Sequence, residues 1–285
     1  MFQTILGGAL LLAGGIYAAA ILIGLYRERA LLKEEKGRLG LLGVLEVLIY
    51  ICASIGISDY LLNTLVFKQG KLGEDKILPG TVVACGIVPG TILAWSLLQA
   101  DTAVDGRSLV VCGLFVTVGS LIGARLVGKF DGGRIKAVMR VALVVSFLFL
   151  IARMILSAGA SGTEMGLWGG RLWLAAGMSF LTGVINMFGI PMKPTWTALF
   201  LLMGLSPIAT LTLVLVMGAL TPLAGGVSVL RGGRYHRKMA LCAAVFGSVG
   251  AVIGTLLAIS VPAGVLNLLL MAVMLIAIVT MFRGK

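Results

Sequence analysis

Charge is what this sequence has least of. Only 12% of its 285 residues are Asp, Glu, Lys or Arg, about half the share of a soluble domain. Apolar residues make up 59% and the mean hydropathy is +1.10. A water-soluble globule, an extended nucleic-acid binder and a disordered chain are excluded. Histidine occurs once, as His236 in a basic loop. The four cysteines, Cys52, Cys85, Cys112 and Cys242, lie singly in apolar segments. Without a CxxC pair or a Cys–His cluster, neither a zinc centre nor a disulfide framework is supported. The cysteines read as small buried hydrophobes. The chain also lacks an H-E-x-x-H motif and an ATP-binding loop. That argues against a membrane-interior enzyme and an ATP-driven pump, so no cofactor, metal or catalytic residue is expected.

What is present is a series of apolar blocks about 20 residues long, the length that crosses a bilayer as a helix. Thr4–Tyr26 comes first, followed directly by Arg27-Glu28-Arg29. Positive charge after the segment holds that end in the cytoplasm. The expectation is an uncleaved anchor with the N-terminus outside, preceding a basic loop that ends at residue 38. Next come Leu39–Phe67, Ile77–Gln99, Ser108–Gly128, Ile135–Ser157, Leu172–Met203, Pro207–Leu230, Met239–Ser260 and Gly264–Phe282. Two of these are too long for one simple crossing, Leu39–Phe67 with 29 residues and Leu172–Met203 with 32. Each contains a helix breaker, Gly56-Ile57-Ser58 in the first and Gly189-Ile190-Pro191 with Pro194 in the second. Each block therefore reads as two shorter helices joined by an unwound stretch.

These two blocks open an internal repeat. A shift of 133 residues places Gly56, Ile57, Thr64, Phe67, Val83 and Pro89 on Gly189, Ile190, Thr197, Phe200, Val216 and Pro222. After a two-residue deletion, Phe115, Val118, Gly119, Ile122, Gly123, Leu126 and Gly133 meet Phe246, Val249, Gly250, Ile253, Gly254, Leu257 and Gly264. The halves are residues 39–157 and 172–285, joined by a loop over 158–171. Each is a broken block followed by three crossings.

Loop charge orients the halves. If each broken block crosses once, the Lys and Arg residues outside Lys193 divide 14 inside to 8 outside. If each returns to its starting side, the division is 19 to 3. The positive-inside rule selects the second arrangement, which makes the halves an inverted repeat with two discontinuous hairpins, as in secondary transporters. The expected fold is an all-α polytopic membrane protein with the C-terminus cytoplasmic. Trp95, Trp168 and Trp173 fall near outer ends, where interface anchors belong. The G-x-x-x-G pairs Gly119/Gly123 and Gly250/Gly254 read as packing seams.

The duplicated halves, the glycine-broken segment opening each and the two G-x-x-x-G pairs together resemble the TauE/SafE sulfite exporter family, the toluene-sulfonate uptake permeases. Gly183–Gly204 with Pro191 and Pro194, then Ser206-Pro207 and Thr221-Pro222, carry the closest part. The resemblance covers roughly Leu39 to Phe282. Ala53-Ser54-Ile55-Gly56 stands where many members have a denser glycine run, and Asp59 and Lys193 lie outside the family pattern. The resemblance implies a bacterial inner-membrane carrier for sulfite, a sulfonate or a related sulfur-containing anion.

The candidate site gathers at the breaks. Gly56, Ser58, Asp59, Tyr60, Asn63 and Thr64 mark the first, and Asn186, Gly189, Pro191, Lys193, Thr195, Trp196 and Thr197 the second. Polar residues at lipid depth are expensive and often functional. Ser58 suits an N-cap of the helix from Asp59, and Pro194 the first turn of the next one. Exposed helix N-termini favour an anion, and Lys193 adds a full charge. Asp59 and Lys193 are either a structural pair or groups acting in binding and coupling. Glu46 is either a proton-coupling carboxylate or a solvated residue on the cytoplasmic half of its helix. The expected partners are the bilayer, a small anion and a proton or sodium ion, with no nucleic acid, for a monomer or homodimer. An anion channel or a non-transporting assembly protein is the alternative.

Overall fold

A computed structural model describes residues 2–99, 104–127, 129 and 162–260. The expected crossings Ile135–Ser157 and Gly264–Phe282 lie outside the described residues. The anchor is α1, Phe2–Arg27. A short α2, Arg29–Glu34, follows in the basic loop. The first long block divides into α3, Leu39–Ser54, and α4, Asp59–Gln69. Then come α5, Leu78–Gln99, and α6, Gly106–Val127. The second long block divides into α7, Gly169–Asn186, and α8, Lys193–Leu202. Next is α9, Pro207–Gly232. The last described crossing is α10, Arg237–Cys242, a π turn over Ala243–Gly247, and α11, Ser248–Ser260. Among the described residues five helical stretches are long and apolar enough to span a bilayer. No strand occurs among them. The chain is an all-α polytopic membrane protein.

Both breaks fall where glycine was expected to make them. Gly56 has φ +91° and Gly189 φ +81°, a left-handed backbone that only glycine adopts without strain. Residues 133 apart also end the short helices alike. Leu72 N–H donates to Phe67 O, and Leu205 N–H to Phe200 O, each at 3.1 Å. This is the six-to-one closure of a Schellman turn. The left-handed residue in these turns is Lys71 in the first and Gly204 in the second.

Each broken segment returns to the end of the molecule at which it started. Leu72, just past α4, lies against Gly37, just before α3. At the other end Glu164 N–H donates to Gly204 O at 3.1 Å, and Arg171 on α7 reaches Met203 O at 3.4 Å. The end holding Gly37 also gathers the basic loops. Arg237 Nε donates to Glu28 Oε2 at 2.5 Å. The backbone N–H groups of Arg237 and Lys238 donate to Glu35 at 3.0 and 2.9 Å. Burial pushes the His236 imidazole below its ordinary pKa despite the opposing pull of Glu35. In its neutral form Nδ1 accepts from Met239 N–H at 3.2 Å, capping α10.

Helix contacts exchange between the two halves. α6 packs on α7, and α11 on α3. A methyl group at Gly119 would lie 2.1 Å from Phe180 O, and one at Gly250 2.3 Å from Val47 O. Phe180 and Val47 are themselves 133 residues apart. At Gly123 the obstacle is Val184 O at 2.5 Å, and at Gly254 it is Ser54 Oγ at 2.6 Å and Ile51 Cα at 2.7 Å. The small residue changes sides where the ring of Tyr50 sits against Gly247, while Gly183 sits against Val116 O. Because backbone blocks these positions, Gly123→Leu and Gly254→Leu are each expected to cost about 1–3 kcal/mol by overpacking. Thermal melting in detergent checks this. Unchanged melting with lost ligand binding would move these glycines from the seam to the pathway.

The core has two main clusters. One joins Leu109, Val116, Phe188, Trp196, Phe200 and Leu213. The other joins Tyr50, Tyr60, Phe67, Val82, Leu93 and Met239. α5 and α9 pass between the broken segments, each with an interior proline at repeat-equivalent positions, Pro89 and Pro222. An interior proline deprives the carbonyl four residues earlier of its helical donor. For Pro89 that carbonyl is Cys85 O, and Tyr50 Oη supplies a replacement at 2.8 Å.

Candidate anion site between the broken helices

The breaks bring the first turns of α4 and α8 face to face. Ser58 caps α4, its Oγ accepting from Leu61 N–H at 3.4 Å. Asp59 is the first residue of that helix. On the other side α8 begins at Lys193 with Met192 as its cap, one to two residues earlier than expected. Proline is tolerated in the first turn because its missing N–H is one of the helix's free donors. Pro194 therefore sits inside α8, and Lys193 is part of the helix rather than ahead of it.

Lys193 Nζ lies 2.7 Å from Asp59 Oδ1, with both side chains almost wholly buried. The approach lies outside hydrogen-bonding angles. It is a contact of opposite charges, not a well-directed bond. The two charges stand differently to their helices. Asp59 is favourable at an N-terminus, whose free N–H groups carry about half a positive charge, and Lys193 is unfavourable there. The site as a whole is short of negative charge.

Close approach to α5 and α9 fixes both side chains. A methyl group at Gly86 would lie 3.4 Å from Tyr60 Cε2 and 3.5 Å from Asp59 Oδ2. One at Gly218 would lie 3.0 Å from Lys193 Cε. Gly218 is the repeat equivalent of Cys85, and its carbonyl is the one that Pro222 deprives of a helical donor. So each broken helix sets its charged residue beside a proline-weakened turn of α5 or α9.

Around the pair, polar atoms are buried without partners. Tyr60 Oη, both amide atoms of Asn63, Asn186 Oδ1, Thr210 Oγ1 and both carboxylate oxygens of Glu46 have no hydrogen-bond partner among the described residues. Gly56, Ser58, Tyr60, Asn63, Asn186, Gly189, Thr195 and Thr197 are buried, whereas Thr64 and Pro191 are half-buried. Thr197 Oγ1 donates to Lys193 O at 2.9 Å, so it holds the first turn of α8. Trp196 is fully buried, and its indole N–H donates to Thr182 Oγ1 at 2.6 Å, which satisfies it within its own hairpin. Glu46 is only 1% exposed, so the solvated reading of that residue is corrected.

Sequence reasoning did not find Tyr50, Cys85, Gly86 or Gly218. Pro89 gives one usable signal, since its fourth preceding carbonyl needs a donor. The glycines carry none, because their role depends on which helix crosses them. Among the described residues no cluster of His, Cys, Asp and Glu is arranged to hold a metal ion. No family model, curated protein or solved structure matches the chain.

Proposed function

We propose that this protein is a secondary carrier in which a small anion binds between the first turns of α4 and α8. The observation that supports it most is the buried Lys193–Asp59 contact at repeat-equivalent breaks. A cation held at a helix N-terminus, against one loosely directed carboxylate, is a ready anion receptor. The segments returning to opposite ends and the exchanged helix contacts support reading the halves as an inverted repeat. In such carriers the substrate site lies between discontinuous helices near mid-membrane. The sulfur-oxyanion class, sulfite or a sulfonate, comes from the sequence resemblance alone. Uptake of labelled sulfite and methanesulfonate by proteoliposomes tests the proposal, with protein-free liposomes as the reference.

The proposed setting is the bacterial inner membrane, with the N-terminus outside. Lys68–Lys76 and Arg231–Lys238 then face the cytoplasm, and residues 100–107 and 158–171 the exterior. Single cysteines at Lys71 and Asp101, in a cysteine-free background, check this with an impermeant maleimide in intact cells. Asp101→Cys is expected to react and Lys71→Cys to stay silent. The reverse pattern contradicts the orientation.

A further inference from the structure

We infer that Glu46 carries a proton which it passes to Asp59 when an anion occupies Lys193, making the protein a proton–anion cotransporter. This rests on the carrier reading above. Glu46 lies about 10 Å along α3 from its start at the basic end. It is 1% exposed, and neither carboxylate oxygen has a hydrogen-bond partner among the described residues. Its electrostatic neighbours are Asp59 on α4, Tyr50 one turn further along α3, Cys85 on α5 and Cys242 on α10. None of these supplies a positive charge. The cation facing this region, Lys193, is held by Asp59. An ionised carboxylate so placed has neither a counter-charge nor a donor, and such groups take a proton instead.

Charge balance then sets the coupling. The empty site holds Asp59 as carboxylate, Lys193 as ammonium and Glu46 as neutral acid, for a net charge of zero. A monovalent anion on Lys193 displaces Asp59 and leaves one buried negative charge in excess. One proton restores neutrality, and Asp59 is the carboxylate that has just lost its partner. The Glu46 carboxyl gives up its proton, the Asp59 carboxylate takes it, and Glu46 is reprotonated from water at the basic end. Each monovalent anion crosses with one proton.

Two readouts test this. Infrared spectra of the purified protein report protonated carboxyl groups directly. The inference expects a carboxylic-acid carbonyl band at neutral pH that persists in Asp59→Asn and disappears in Glu46→Gln. Glu46→Met, apolar and of similar length, serves as the second variant should the amide fold poorly. Absence of the band, or its survival in both Glu46 variants, overturns the inference. The transport readout uses methanesulfonate, which stays ionised across the working pH range, in proteoliposomes loaded with a pH-sensitive dye. An inward sulfonate gradient should acidify the lumen. Glu46→Gln should retain sulfonate exchange while acidification falls about a hundredfold, the scale of a positioned proton-transfer group. Exchange by the wild type without acidification, or uptake driven by a sodium gradient instead, overturns the coupling. If the wild type exchanges no sulfonate, the carrier reading for this class fails together with the coupling. The infrared band still decides whether Glu46 holds a proton.

Discussion

Lys193→Met is expected to weaken binding of sulfite or a simple sulfonate by about 2–5 kcal/mol, or roughly 30- to 5,000-fold. The substitution keeps the length of the side chain over Gly218 and removes only the charge. What remains for the anion is the N-terminus of α8, whose favourable contribution is about 0.3–1 kcal/mol in exposed settings. The variant is expected to fold. Asp59, left without its cation, can take a proton and become a neutral acid. Isothermal titration against the wild type reads the loss. Full affinity in well-folded Lys193→Met protein would remove Lys193 from the site.

Asp59→Asn is the complementary experiment, with the opposite signature. It leaves the Lys193 charge buried between α8 and α9 with no counter-ion. Breaking a buried pair from one side typically costs about 3–5 kcal/mol. The melting temperature should therefore fall sharply in anion-free buffer. Added sulfite should restore stability more than it stabilises the wild type, because the anion replaces the missing carboxylate and need not displace one. Stabilisation by a ligand follows its affinity for the folded form, so the size of this rescue measures anion binding at Lys193. The double variant Asp59→Asn, Lys193→Met should recover stability and show no rescue. If Asp59 and Lys193 only tie the hairpins together, the double variant recovers equally. The single variant then gains nothing from the anion, and that comparison separates the two roles.

Much of this arrangement was legible in the chain because glycine and proline act locally. Gly56 and Gly189 end helices through backbone freedom, which needs no knowledge of neighbours. The G-x-x-x-G pairs announced close helix approach for the same reason, and the structure places backbone against all four. The repeat was readable through these residues and remains exact down to the Schellman turns after Phe67 and Phe200.

What was not legible depends on neighbours. α2 has no apolar period to reveal it, and it forms within a charged loop tied down through Glu28 and Glu35. The π turn over Ala243–Gly247 leaves no mark in composition; it occurs where Phe246 meets Gly43 and Gly247 meets Tyr50. Glu46 read as solvated because a charge one-third of the way along a helix usually is. Its burial comes from the other helices closing over α3, which periodicity along α3 cannot report. Trp196 beside a break suggested a site wall, and its partner Thr182 lies 14 residues earlier across the hairpin.

The central claim is that an anion replaces Asp59 at Lys193, and locating a bound anion tests it most directly. Selenite has the shape and charge of sulfite, and selenium scatters anomalously. Crystals soaked in selenite should show an anomalous peak within hydrogen-bonding reach of Lys193 Nζ, between the N-termini of α4 and α8, with Asp59 moved off the ammonium. A peak elsewhere, with the 2.7 Å Lys193–Asp59 contact intact, would contradict the account.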